Sequence, residues 1–88
     1  MSISDFEAAL EAIPEGYSEG LYLGRRYGVT RQSSDDGKRN SLFARELAGT
    51  DFISFNLYRL QAGRTLLKPC EMPEAKVRAF VADFTPAT

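Results

Sequence analysis

The hydrophobic positions change period along the chain. Ile3, Phe6, Leu10 and Ile13 recur every three or four residues, while Glu7, Glu11 and Glu15 repeat every four on another side. That is the pattern of a helix with one apolar stripe to bury. Ser4-Asp5-Phe6-Glu7 fits a capping box, the Ser4 hydroxyl accepting from the Glu7 amide and the Glu7 carboxylate from the Ser4 amide, which places the helix start at Asp5. Pro14, which lacks an amide donor, and then Gly16 end it.

From Tyr17 to Leu67 the texture becomes aromatic and β-branched, punctuated by glycine, as strands and tight turns require. Leu21, Leu23, Tyr27 and Val29 share odd positions and Tyr22, Arg26 and Thr30 even ones, so an unbroken strand over residues 20–32 would present them on opposite faces. Leu23-Gly24 is equally suited to a turn that splits the stretch into a hairpin. Asp36-Gly37 closes the next turn, Arg39 to Leu47 returns as a strand, and Ala48-Gly49-Thr50-Asp51 turns again. In Phe52–Leu60, expected as the central strand, Ile53, Phe55 and Leu57 share one face; Phe52, Ser54, Asn56, Tyr58 and Leu60 form a half-polar, half-aromatic face that should be partly wet. Gln61-Ala62-Gly63-Arg64 turns into Thr65-Leu66-Leu67. Pro73 suits the first turn of a second helix, along which Val77, Phe80, Val81 and Phe84 repeat at helical spacing before Pro86. The expected fold is α+β: an antiparallel sheet of three to five strands flanked by an N-terminal and a C-terminal helix, one domain over residues 1–88.

Composition agrees with a folded domain. Of 88 residues, 43% are hydrophobic and 26% charged, enough apolar surface for a core. The apolar runs are far shorter than the roughly 20 residues a membrane helix needs, and Met1-Ser2-Ile3-Ser4-Asp5 lacks the regions of a signal peptide, so a cytoplasmic location and no membrane partner are expected. One cysteine and no histidine leave no ligand set for a transition metal, and no cofactor is expected.

Charge changes the picture more. The net charge is −1, yet residues 1–20 carry Asp5, Glu7, Glu11, Glu15 and Glu19 and no basic residue, whereas nine basic residues stand against four acidic ones over residues 21–68. Acidic helix and basic strands can attract each other across one domain, or the basic strands can offer a surface to an anionic partner. The candidate binding residues are Arg25, Arg26, Tyr27, Arg45 and Tyr58, with Tyr22 beside them, because guanidinium groups meet phosphates and aromatic rings stack on exposed bases. A protein or a nucleic acid would suit such a surface.

Lys68-Pro69-Cys70-Glu71-Met72-Pro73 sets the only thiol ahead of the second helix, where helix amides and Lys68 favour a thiolate and Glu71 opposes it. This segment, with Gly24-Arg25-Arg26-Tyr27-Gly28-Val29-Thr30 and Phe43 to Tyr58, resembles a family of small uncharacterised bacterial proteins, some of them labelled peptide methionine sulfoxide reductase. The resemblance implies that Cys70 attacks a sulfoxide sulfur while an acid, Glu71 in this chain, protonates the oxygen. The Gly-Cys-Phe-Trp signature of the A-type reductases and the paired Cys-x-x-Cys motifs of the B-type are absent. The order helix, strands, helix also resembles the double-stranded-RNA-binding domain, but the lysines such domains carry at the last helix are replaced by Glu71-Met72-Pro73-Glu74. The functional expectation is a small binding or interaction domain, with a thiol-dependent reductase and an RNA-binding domain as alternatives.

Overall fold

The computed structural model describes residues 3–87, with side chains from residue 5 onward. The first helix, α1, covers Ile3–Glu11. It takes in Ile3 and Ser4, ahead of the expected start, and the side chains of these two residues, hence the capping box, lie outside the described residues. A meander of five antiparallel strands follows: β1 (Gly16–Tyr22), β2 (Arg25–Ser33), β3 (Arg39–Glu46), β4 (Phe52–Arg59) and β5 (Thr65–Pro69). Helix α2 covers Glu74–Asp83, and a two-residue strand, β6 (Thr85–Pro86), returns to pair with β1. The sheet order is β5-β4-β3-β2-β1-β6. The α+β class and antiparallel sheet agree with the sequence pattern; the count of three to five strands is exceeded by one, the addition being β6. Strand β4 is interior but not central, since β2 and β3 occupy the middle. Among the described residues no helix is long and apolar enough to cross a membrane.

Residues 20–32 form a hairpin, not one bent strand. Leu23 and Gly24 both take positive φ, 52° and 77°, as a two-residue turn between right-twisted strands requires. The two turn residues decide which side chains share a face. Register pairs Tyr22 with Arg25, Gly20 with Tyr27 and Ser18 with Val29, so Tyr22 joins Tyr27 and Val29 on one side while Leu21 goes with Arg26 on the other.

That first side is the core. Tyr27, Val29, Leu42, Ala44, Ile53, Phe55 and Leu57 of the sheet are buried against Phe6 and Leu10 of α1, Ile13 just beyond it, and Val77, Phe80 and Val81 of α2. Phe6 meets Phe55 at a centroid separation of 5.7 Å, and Phe80 contacts Tyr22, Tyr27 and Phe84 at 4.9, 5.3 and 5.1 Å. Such ring pairs add to the area they bury. Arg31 lies at the margin, donating from Nε to the Ile13 carbonyl (2.7 Å) and from Nη1 to Asn40 Oδ1 (3.1 Å), which satisfies a carbonyl that the end of α1 leaves without a helical partner.

Strand β6 depends on a missing side chain. Gly20 is buried on the core side, and a Cβ there would strike the Thr85 carbonyl oxygen and the Phe84 ring, whose Cζ would lie at 2.6 Å. Glycine lets the chain after α2 lie directly on β1. Gly20→Ala is therefore expected to displace Phe84 and β6 and to cost about 1–3 kcal/mol, as overpacking does. Urea unfolding followed by circular dichroism measures this, and an unchanged midpoint would show that β6 does not need the close approach.

Candidate binding face

Both helices cover the same side of the sheet, so the other side faces outward. Cross-strand register defines it: one row runs Tyr17, Thr30, Phe43, Ser54; the next Glu19, Gly28, Arg45, Phe52; a third Gln32, Ser41, Asn56, Lys68; and Arg39 stands beside Tyr58 and Leu66. Tyr17, Phe43, Phe52 and Leu66 are exposed here, Phe43 to 49%, as is Leu21 near the β1–β2 turn. Exposed large apolar side chains gathered on one surface are a stronger signal than the same number scattered.

Gly28 shapes the middle of this face. A side chain there would collide with the Tyr17 phenol, its Cβ lying 2.6 Å from Oη and 3.1 Å from Leu47 Cδ2. The Tyr17 ring instead lies over the glycine, with its hydroxyl donating to Glu19 Oε2 (3.0 Å). A shallow depression of about 160 Å³ results, lined by Tyr17, Gly28, Thr30, Phe43, Arg45 and Leu47. Phe43 and Phe52, diagonal neighbours on β3 and β4, run nearly parallel at 26° with centroids 6.5 Å apart.

Electrostatics separates the two sides of the sheet. On the helix side and its margins most cations are engaged, Arg25 with Glu46 (3.0 Å), Arg59 with Glu11 (2.8 Å) and Glu7 (3.5 Å), Lys76 with Asp51 (2.6 Å) and Arg78 with Glu74 (2.6 Å), while Lys38 and Arg64 in the turns have no ion pair among the described residues. The contacts of Arg59 with Glu7 and Glu11 are the attraction between acidic helix and basic strands that the charge distribution anticipates. On the outward face Arg26 pairs with Glu19, but Arg39, Arg45 and Lys68 have no ion pair among the described residues.

The residues expected at a binding surface therefore divide. Arg26, Arg45 and Tyr58 share the outward face. Tyr27 does not: it is 2% exposed, because it lies two residues from the buried Val29 on β2 and so shares its face, and its hydroxyl donates to Asp51 Oδ2 (2.8 Å). Tyr22 is half-buried on the same core side, and Arg25 is turned to Glu46 beside them. The residues not named as binding candidates from sequence are Tyr17, Arg39, Phe43, Phe52 and Lys68, Phe52 having been placed only on the wetter face of its strand. The signal for three of them was present in the alternation of Arg39, Ser41, Phe43 and Arg45 on one strand and of Phe52, Ser54, Asn56 and Tyr58 on the next.

Cys70 is half-buried in the loop between β5 and α2, its amide donating to the Ser54 carbonyl (2.9 Å). Glu71 beside it is exposed and takes a positive φ of 60°. Among the described residues no side-chain hydrogen bond joins Cys70 to Glu71 or to any base. The carboxyl and thiol are adjacent in sequence without forming a polar pair.

A second polar cluster, around Asp51, ties the β3–β4 turn to the rest of the domain. Asp51 accepts from Tyr27 Oη and from Lys76 Nζ (2.6 Å) on α2, and its amide donates to Glu46 Oε1 (3.4 Å). The hydrogen bond from Lys76 holds the Asp51 carboxyl below its ordinary value near 3.8, while burial and the hydrogen bond to Asp51 push the Tyr27 phenol well above 10. Every acceptor and donor is directed at another strand or helix, which makes the cluster a clamp. The chain matches no protein-family model, no curated protein and no solved structure.

The clamp has a pH signature. Asp51 has a folded value below its unfolded one, so its contribution is present above about pH 4 and is lost as pH falls through the folded value. Tyr27 has a folded value above its unfolded one, so its contribution is complete below about pH 10 and is lost as pH rises beyond it. Stability against urea is expected to fall at both limits, with Asp51→Asn flattening the acid limb and Tyr27→Phe the alkaline one. Limbs of unchanged slope in these variants would remove the two groups as the cause.

Proposed function

We propose that the domain is a binding module whose outward sheet face receives a negatively charged partner. The observation that carries this is the gathering of Arg39, Arg45 and Lys68 on one sheet face, without ion pairs and among exposed aromatic rings, while Arg25, Arg31, Arg59, Lys76 and Arg78 on the helix side are engaged with acidic or carbonyl groups. A cation without a partner remains free to attract an external anion, at a strength that salt screens. Exposed rings supply the apolar area that makes such an encounter last. Arrangement on strands suits recognition, because the pleat holds every second side chain at a set spacing on a scaffold that the core keeps rigid.

The test is retention on a sulfated polyanion matrix such as heparin at low salt. The protein should be retained despite its net charge of −1, and the triple variant Arg39→Ala, Arg45→Ala, Lys68→Ala should pass unretained while keeping its circular dichroism spectrum. Passage of the unaltered protein, or equal elution of the two, would sink the proposal.

A further inference from the structure

We infer that the partner of this face is a single-stranded nucleic acid, with bases stacked on Phe43 and Phe52 and phosphates held by Arg39, Arg45 and Lys68. The inference rests on the binding-face reading and adds the chemistry of the occupant. Arg45 lies directly across from Phe52 and two residues along β3 from Phe43, so a ring and a cation occur side by side. Arg39 lies six residues from Arg45 on the same strand, about 20 Å at the rise of an extended chain. Lys68 stands two strands from Ser41, about 10 Å across the sheet. A nucleotide repeat combines one planar π-system with one negative charge, which is the combination presented here.

The spaces between the rings matter as much. Thr30, Ser41, Ser54 and Asn56 fill them, short polar side chains able to hydrogen-bond base edges and too polar to join the rings into one apolar patch. An acidic peptide would engage the cations and leave the ring faces in water. A second copy of this chain, laid face to face, would set the cations against themselves. A duplex keeps its base faces stacked inside, where rings standing on a flat sheet cannot reach them, whereas single-stranded bases are open to stacking.

The experiment is fluorescence anisotropy of a labelled oligouridine or oligodeoxythymidine of about 12 nucleotides, within the range such surfaces span. Three phosphate contacts give a salt slope near −2, so affinity should fall roughly 20-fold between about 50 and 200 mM salt. Arg45→Ala should make that slope shallower by about 0.7. The double variant Phe43→Leu, Phe52→Leu should lose at least about 5-fold in affinity for the oligonucleotide, the lower limit for one stacked base, with its retention on the sulfated matrix unchanged. Both rings are exposed, and an unchanged urea midpoint verifies that the variant is folded. Matrix retention without oligonucleotide binding, equal oligonucleotide binding by the aromatic variant, or equal competition by a duplex would overturn the inference and leave the binding-face reading standing. Failure of the unaltered protein to bind either matrix or oligonucleotide would overturn both.

Discussion

The arrangement follows from how little helix there is to cover the sheet. Five paired strands at about 4.8 Å spacing span about 19 Å, and two helices of about 10 Å diameter laid side by side cover that width once. Helices α1 and α2, of nine and ten residues, pack against each other on the same side. The core is then one layer of side chains between helices and sheet, and the opposite sheet face has no element left to bury it. Side-chain alternation carries this constraint into every strand, since each inward Ile, Phe or Leu fixes its neighbours outward. The exposed rings and unpaired cations are the other half of the pattern that builds the core.

The clamp around Asp51 and the glycine at position 28 bear on how precisely that outward face is held. Asp51 joins β3–β4, β2 and α2 through Tyr27 and Lys76, so the turn beside Arg45 and Phe52 is bound to the core and is not a free loop tip. Gly28 gives the Tyr17 ring a place to lie, with Glu19 accepting both its hydroxyl and the Arg26 guanidinium. An acid on a largely basic face thus orients a ring and an arginine at one edge, while the cations near the middle and far side keep their charge uncompensated.

Much of this was legible in the chain. The alternation in Phe52–Leu60 identified the buried Ile53, Phe55 and Leu57 and the wetter face opposite, and the helical spacing of Val77, Phe80 and Val81 identified the buried stripe of α2. Side choice between Tyr17 and Thr30 was not legible, because it depends on whether Leu23-Gly24 is a turn, and leucine at positive φ is not a residue that announces one. That ambiguity exchanges Leu21 and Tyr22 between the faces, whereas Tyr27 shares the side of Val29 in either reading and was expected at the binding surface for its residue type. Strand β6 was hidden for another reason: two residues have no periodicity, and their pairing is set by Gly20 more than sixty positions earlier in the chain. The reactive-thiol expectation at Cys70 depended on its place ahead of α2, on Lys68 and on a family resemblance, and the adjacent Glu71, at positive φ, forms no polar pair with it.

The placement of α1 has an electrical consequence. Asp5, Glu7 and Glu11 belong to the helix layer, and Arg39, Arg45 and Lys68 to the outward face of the sheet, so a domain with almost no net charge still carries a dipole moment roughly normal to the sheet. In the field of a large anion such a molecule experiences a torque before it experiences a net pull, and it turns its sheet toward the source during approach. Near-neutrality and selective orientation are compatible because they are different moments of one charge distribution.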